Sequence, residues 1–277
     1  MPLHRAWTRR TLPDGTIVSC FDKLTALYVY DEIFVNEVYT RQGGIEVHPG
    51  DVVLDVGANI GLFTMYLARK ARNVEIHAFE PVYPIFKALA VNVAGLQADV
   101  HTYNIGLGET ERDADFQFYP RVCADSTATP FDLDAKVARY VETYGQSIAK
   151  DMPIARIVPK AFRHRVVRSF IKWLYTGQAV PCHVRPLSDV IAEQHITRID
   201  LLKMDAENAE RQVVAGITDA DWDKVKQVAM EVHTHIKGGE NLVAEMQGVL
   251  ESKGFRVSHG AESRETIMGV YMIYGKK

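Results

Sequence analysis

The chain has 277 residues, 47% hydrophobic and 24% charged, enough to bury one sizeable core and typical of a globular protein. Its formal net charge of −3 excludes a dedicated nucleic-acid binder, which carries a clear basic excess. No apolar run approaches the ~18 residues of a membrane span, and the opening MPLHRAWTRRTLPDG lacks the apolar stretch of a secretory signal. Cys20, Cys123 and Cys182 are scattered, with no CxxC pair, so we expect reduced thiols in a soluble, cytoplasmic protein.

Within residues 8–20, Asp14-Gly15 is a turn signal between two short extended runs, which predicts a small hairpin. Residues 24–40 place apolar and acidic positions at helical spacing, and Pro49-Gly50 ends this leader of 1–48. From 49 onward strands alternate with helices: strands at 52–56, 74–79, 99–104, 199–205 and 225–232, helices at 60–71, 84–94, 207–216 and 240–253. This rhythm predicts right-handed βαβ crossovers and a doubly wound, mainly parallel sheet in an α/β domain over 49–277. Two terminal runs, FRVSHG and TIMGVYMIYG, read as an antiparallel edge hairpin. Between about 120 and 185 the rhythm fails. Residues 130–150 are helical in pattern, and 156–175 carry Arg156, Lys160, Arg163, Arg165, Arg168 and Lys172 with no acid, with Phe162, Val166, Phe170 and Trp173 near one helical face. We expect an inserted helical lid.

The most informative motif is Val53-Leu-Asp-Val-Gly57-Ala58-Asn59-Ile-Gly61. An apolar strand enters a glycine turn and then a helix, where backbone passes close to a ligand and free N–H groups face it. Glu80 closes the next strand, at a distance suited to accepting both hydroxyls of a ribose. A dinucleotide site would prefer GxGxxG. The carboxylate of Asp55 before the turn repels pyrophosphate but suits the cationic sulfonium and ammonium of S-adenosylmethionine. To the same side we assign Glu32 of the leader and Asn104 at the end of the third strand.

Two later strands finish in polar clusters: Lys203, Asp205 and Glu207 in one, Glu231, His233 and His235 in the other. Ligands bind outside the carboxyl ends of such strands, and idle polar groups there are costly to bury. Methyl transfer to oxygen needs the acceptor aligned and its proton removed. His233 is the candidate base, since imidazole titrates near neutrality, and Asp205 is placed to orient the acceptor or to contact the donor's amino-acid end. Ser126, Thr127, Glu207 and Glu231 are assigned to the acceptor. Asp205, Glu207, Glu231 and His233 could chemically hold a metal, but no HxxxH spacing supports one, and none is expected.

At these residues the sequence resembles the FkbM family of methyltransferases. The resemblance rests on Tyr30, Glu32, Ile33, Phe34 and Tyr39 in the leader, DVGANIGLF at 55–63, AFEP at 78–81 and DLLKMDAENAE at 200–210. DADWDKVKQVAMEVH at 219–233 and GFRV at 254–257 complete it, and DFQFYPRVCADST at 115–127 is similar to versions from polyketide and nonribosomal-peptide pathways. The resemblance implies a class I methyltransferase (Rossmann-like) fold. It also implies O-methylation of a hydroxyl, or a carboxyl, on a free or carrier-bound specialised metabolite. By carry-over, Asp55, Gly57, Asn59, Gly61 and Glu80 hold the donor. One departure stands out: Glu207-Asn208 replaces the family's Glu-Gly, and asparagine tolerates the left-handed backbone such a turn needs.

Two other readings are carried alongside: donor chemistry of another kind, such as cyclisation of its aminobutyryl chain, and a non-catalytic scaffold. Release of S-adenosylhomocysteine rather than methylthioadenosine separates the first; a scaffold needs neither the glycine turn nor Glu80. The basic lid helix offers Arg163, Arg165 and Arg168 either as a solvated face or as a dock for an acidic carrier protein. A homo-oligomer is compatible with everything above.

Overall fold

The structure is a computed structural model that describes residues 7–130, 132–145, 153–234, 238–261, 266 and 268–277. His235, and residues 131 and 146–150 of the expected 130–150 helix, lie outside the described residues. The leader forms the hairpin β1 (Thr8–Thr11) and β2 (Ile17–Cys20), then helix α1 (Lys23–Tyr30). Asp22 caps α1, its carboxylate accepting from Thr25 N, the usual role of an acid at that position. The α-helical run stops at Tyr30, short of the expected 40. It passes through a π-type turn at Asp31–Val35 and a 3-10 turn at Arg41–Gly43, so the backbone doubles back and delivers Tyr39 inward.

The strand–helix alternation follows as β3 (Val52–Val56), α2 (Leu62–Lys70), β4 (Glu75–Phe79), α3 (Tyr83–Val93) and β5 (Asp99–Tyr103). Then come β6 (Gly106–Leu107), β7 (Arg112–Phe118), α4 (Leu133–Glu142), α5 (Lys160–Leu174) and β8 (Gln178–Arg185). The chain closes with α6 (Leu187–Glu193), β9 (Leu201–Met204), α7 (Glu210–Ala215), α8 (Asp219–Trp222), β10 (Gln227–His233), α9 (Leu242–Ser252), β11 (Arg256–His259) and β12 (Val270–Lys276). Seven strands make one sheet in the order β5-β4-β3-β9-β10-β12-β11. β3, β4, β5, β9 and β10 pair in parallel, while β12 is antiparallel to both of its neighbours. The terminal hairpin therefore sits at the sheet edge with its second strand inserted inside the first. This is the class I methyltransferase arrangement.

The central strands are buried on both faces, as parallel strands under two helical layers must be. Val53, Leu201 and Ala229 join the core on the side of the leader, α2 and α3, while Val52, Leu54, Val56, Leu202, Met204, Val228 and Met230 join the other. Side chains alternate across a strand. Asp55, Lys203 and Glu231 therefore share the face that the leader covers, so three ionisable groups are shut beneath the N-terminal segment.

The insertion differs from the expected helical lid. Its base is a three-stranded sheet, β6-β8-β7, with β7 and β8 antiparallel from Arg112↔Val184 to Phe118↔Gln178. Phe116 and Phe118 point inward between exposed or half-buried neighbours, the alternation of a half-buried strand. Helices α4 and α5 stand on this base and share a small core of Val137, Tyr144, Ala155, Val167 and Ile171. Among the described residues, no helix is long and apolar enough to cross a membrane.

Candidate active site

The carboxyl ends of β3, β4, β9 and β10, closed over by α1 and the insertion, enclose a cavity of about 1030 Å³. At its floor the turn after β3 lies against the start of the loop after β9. Gly57 has φ 72°, and a Cβ there would stand 1.8 Å from the carbonyl oxygen of Asp205. No side chain fits that approach. Gly61, at φ 88°, precedes α2, and Asn59 between them is also left-handed at φ 49°. Gly57, Ala58 and Asn59 line the cavity. Asn59 Nδ2 donates to the carbonyl of Cys123 at 3.1 Å, which fastens the insertion to the turn.

Glu80 lies in the cavity wall, 5% exposed, with its Oε1 accepting from Val82 N at 2.8 Å. Burial pushes its carboxyl up to about 8, against the backbone N–H groups of Val82 and Asn59, which hold it down. Glu32 also lines the cavity. Two expected donor contacts are placed elsewhere. Asn104 does not line the cavity; its Nδ2 donates to the carbonyls of Glu80 and Pro81 at 3.0 and 2.9 Å, so it shapes the turn that presents Glu80. Asp55 is fully buried under the loop, accepting from Thr64 Oγ1 at 2.8 Å and lying 3.3 Å from Lys203 Nζ. Thr64 and Lys203 enclose its carboxylate, and it does not line the cavity.

Lys203 does line the cavity. Its Nζ donates to the carbonyls of Val56 and Gly57 at 3.1 and 2.9 Å. Burial alone would lower its pKa, but Asp55 and then Asp205 outweigh that and hold the ammonium charged. The lysine thus ties the glycine turn to β9, with Asp55 as its buried counter-ion.

Beside it stands the polar cluster. Strand β9 stops at Met204, so Asp205 and Glu207 reach the cavity from a turn rather than from a continued strand. Glu207 and Asn208 are both left-handed, at φ 44° and 74°; the asparagine holds the conformation expected of it. Tyr39 donates to Glu231 Oε2 at 2.8 Å and lies 3.3 Å from Asp205 Oδ2. Asp205 Oδ1 is buried with no hydrogen-bond partner among the described residues. Burial and then Glu231 raise the Asp205 carboxyl to about 7, against Lys203 and His233.

His233 is not arranged as a free base. Its Nδ1 meets Glu210 Oε1 at 2.6 Å, and its Nε2 faces Glu231 Oε1 at 3.3 Å and Glu207 Oε2 at 3.6 Å. Burial opposes its charge, yet Glu207 and Glu210 lift its pKa well above the ordinary imidazole range. The ring is an imidazolium held by carboxylates, and a cation that keeps its proton cannot accept one. Glu231 is kept ionised chiefly by that imidazolium, against burial, whereas burial raises Glu207 well above the usual carboxyl range. Ligand atoms of Asp205, Glu231 and His233 all lie within 4.8 Å of one another, a spacing that could also admit a cation.

Of the two expected acceptor residues in the insertion, Ser126 lines the cavity and its Oγ accepts from Tyr119 N at 3.2 Å. Thr127 does not line it: buried, it donates to the carbonyl of Glu207 at 2.5 Å and pins the insertion to the β9 turn. Three contributors were not foreseen. Glu210 orients His233, and the nearby acids of DAENAE were its only signal. Asp125 accepts from Tyr175 and from Lys136 Nζ at 3.0 Å, closing the insertion over the cavity. Tyr39 comes from the leader, where its place in the quoted motif was the sole hint. In the lid helix, Arg168 pairs with Asp134, and Arg163 lies over the Tyr144 ring and donates to Val158 O. Two of the three arginines expected on an open face are therefore used inside the insertion.

Residues 55–257 match the model of the methyltransferase FkbM domain. A 31-O-demethyl-FK506 methyltransferase FkbM from Streptomyces tacrolimicus is 34% identical over 249 residues, covering 89% of this chain and 88% of that protein. AMB antimetabolite synthetase AmbE from Pseudomonas aeruginosa is 35% identical over 259 residues, which is 91% of this chain but only 12% of the synthetase's length. Methyltransferase 1 from Beauveria bassiana is 30% identical, covering 85% of this chain and 83% of its own.

Proposed function

Since the chain belongs to the FkbM family of S-adenosylmethionine-dependent methyltransferases, we propose that it methylates a hydroxyl oxygen of a specialised metabolite, with Asp205 as the general base. The observation that carries this reading is Asp205 itself. Its carboxyl lies in the cavity, raised to about 7 by burial and by Glu231, and one of its oxygens has no hydrogen-bond partner among the described residues. A base with a pKa near the working pH is the most effective.

The donor side fits the methyl donor on two observations. The Gly57 approach leaves no room for a Cβ, so backbone borders the ligand, and a buried carboxylate, Glu80, stands at the next strand end to take a ribose diol. Gly57, Ala58, Asn59, Glu80 and Glu32 are the residues we assign to it. When bound, the donor supplies a methyl group on positively charged sulfur.

The chain's own residues do the rest. Lys203 fixes the glycine turn against β9, so the donor side and Asp205 move as one body. Tyr39 and Glu231 orient the Asp205 carboxylate. The imidazolium of His233 keeps Glu231 ionised, and the insertion excludes water. An acidic acceptor such as a carboxyl would need no base, and its turnover would not depend on Asp205. Three buried free cysteines support a reducing compartment such as the cytoplasm. We assign the acceptor as a small molecule, free or on a carrier.

The test is incubation with methyl-labelled donor and hydroxylated acceptors, with Asp205→Asn alongside. Release of S-adenosylhomocysteine, with turnover by the variant down by about 10²-fold or more and donor affinity within about threefold, is expected. Methylthioadenosine as product, or full activity in Asp205→Asn, would overturn the reading.

A further inference from the structure

Large exposed apolar side chains gather at the mouth of the cavity. Leu24 is 76% exposed, Tyr28 45% and Trp173 54%, and all three line it. Leu24 and Tyr28 come from α1, Trp173 and Phe170 from α5. The Arg121 guanidinium lies 4.7 Å from the Trp173 ring and holds the indole at the rim.

From Trp173 the apolar surface continues away from the cavity along α5, through Val166 and Phe162, 47% and 59% exposed. At about 100° per residue, Phe162, Val166 and Trp173 fall within about 40° of one another around the helix. The buried residues of α5, Val167 and Ile171, lie about 100° or more away from that stripe. The helix therefore has two apolar faces, one packed on α4 and one open, with exposed Arg165 and Lys172 bordering the open one. Contiguous exposed apolar surface marks a site where something binds. Phe170 and Trp173 belong both to this helix and to the cavity lining, so the apolar face runs into the cavity and its occupant is the molecule whose other end enters there.

The geometry points to a binding track on α5 for an elongated apolar segment of the acceptor, lying along Phe162, Val166 and Trp173 while its hydroxyl end enters the cavity. The inference rests on the proposed acceptor site and narrows its substrate class to alcohols with a long apolar body. From Phe162 to Trp173 the helix rises ~16 Å. An extended chain advances about 1.2 Å per bond, so the track takes roughly a dozen carbons.

The test uses straight-chain primary alcohols of six to eighteen carbons, titrated into the full chain saturated with S-adenosylhomocysteine and followed by tryptophan fluorescence and calorimetry. On a one-sided track, Kd should fall by about twofold per methylene, half the free energy of full burial. Val166→Asp and Phe162→Asp lie outside the cavity lining. They should bind hexanol and S-adenosylhomocysteine as the parent does, with an unchanged melting temperature, and lose the gain from longer chains by about tenfold at eighteen carbons. Tyr83→Ser, an exposed aromatic on α3, should keep it. No length dependence in the parent, or the same dependence in both aspartate variants, overturns the track. Parent binding to phosphatidylglycerol vesicles that Val166→Asp abolishes, with alcohols showing no trend, would also overturn it and assign the surface to a membrane. Failure to bind S-adenosylhomocysteine at all would instead strike the proposed function, and is read separately in the first titration.

Discussion

Replacing Glu231 with glutamine should move the acid limb of the pH–rate profile downward. After burial, the Glu231 charge is the largest contribution raising Asp205 to about 7. Ligand atoms of the two carboxylates lie within 4.8 Å. At an effective dielectric constant of about 20, that separation corresponds to about 3.5 kcal/mol, or about 2.5 pH units. Glu231 also accepts from Tyr39 and faces His233, and both partners spend part of its field, so a shift of about one to two units is expected. In the sign convention of a base, the parent gains activity as pH rises through about 7, and the variant gains it below 6. The assay is kcat/KM from pH 5 to 9 with labelled donor, calibrated by calorimetric titration of S-adenosylhomocysteine to show that donor affinity is retained. A limb that stays at 7, or that moves upward, refutes Asp205 as the titrating base and with it the coupling to Glu231.

Gly57→Ala should abolish donor binding and cost about 2–4 kcal/mol of stability, because its Cβ would meet the Asp205 carbonyl at 1.8 Å with φ at 72°; calorimetry and thermal unfolding read both. Glu80 ionises near 8 and a ribose diol donates to the ionised form, so S-adenosylhomocysteine affinity should rise between pH 7 and 9. Glu80→Gln should weaken binding and flatten that trend, and a parent affinity independent of pH contradicts it. His233→Asn should destabilise most at low pH. The raised imidazole pKa contributes stability that is full below about 6.5 and is lost as pH rises through the elevated folded value. A stability difference that grows with pH in denaturant titrations would show the ring to be neutral in the folded state.

The parallel sheet was legible because its signals are local. Val52–Val56, followed by Gly57 and Gly61, fixes a strand, a turn and a helix start within ten residues, and the structure begins α2 at Leu62. Glu80, Asp205 and Glu231 were legible because a strand that ends in an acid has only one end of the sheet to present it to. What sequence could not give is which polar groups find each other across long separations. His233 read as a base because an isolated imidazole titrates near 6.5, and its engagement by Glu207 and Glu210 appears only once the turn after β9 packs against β10. Asp55 read as a donor contact because it precedes the turn, but strand parity directs it to Lys203. The three-stranded base of the insertion was missed because β7, RDADFQF, is acidic on its open face and its pairing with β8 spans the whole of α4 and α5.

Burial explains why this site relies on a carboxylate rather than an imidazole. Asp205, Glu207, Glu210 and Glu231 crowd a space where, among the described residues, Lys203 and His233 are the paired cations. Two cations cannot neutralise four ionised acids together with Asp55, and isolated buried charge costs several kcal/mol per ion, so protons must stay on some of the acids. Against burial, Glu207 and Glu210 hold His233 well above the ordinary imidazole range, and burial raises Glu207 well above the usual carboxyl range. Asp205 is left on the boundary because Lys203 and His233 pull it down while burial and Glu231 push it up. The leader is what sets that balance. It seals the face of the sheet carrying Asp55, Lys203 and Glu231 and inserts the Tyr39 hydroxyl between Asp205 and Glu231. The segment least like a catalytic element in sequence is thus the one that tunes the base.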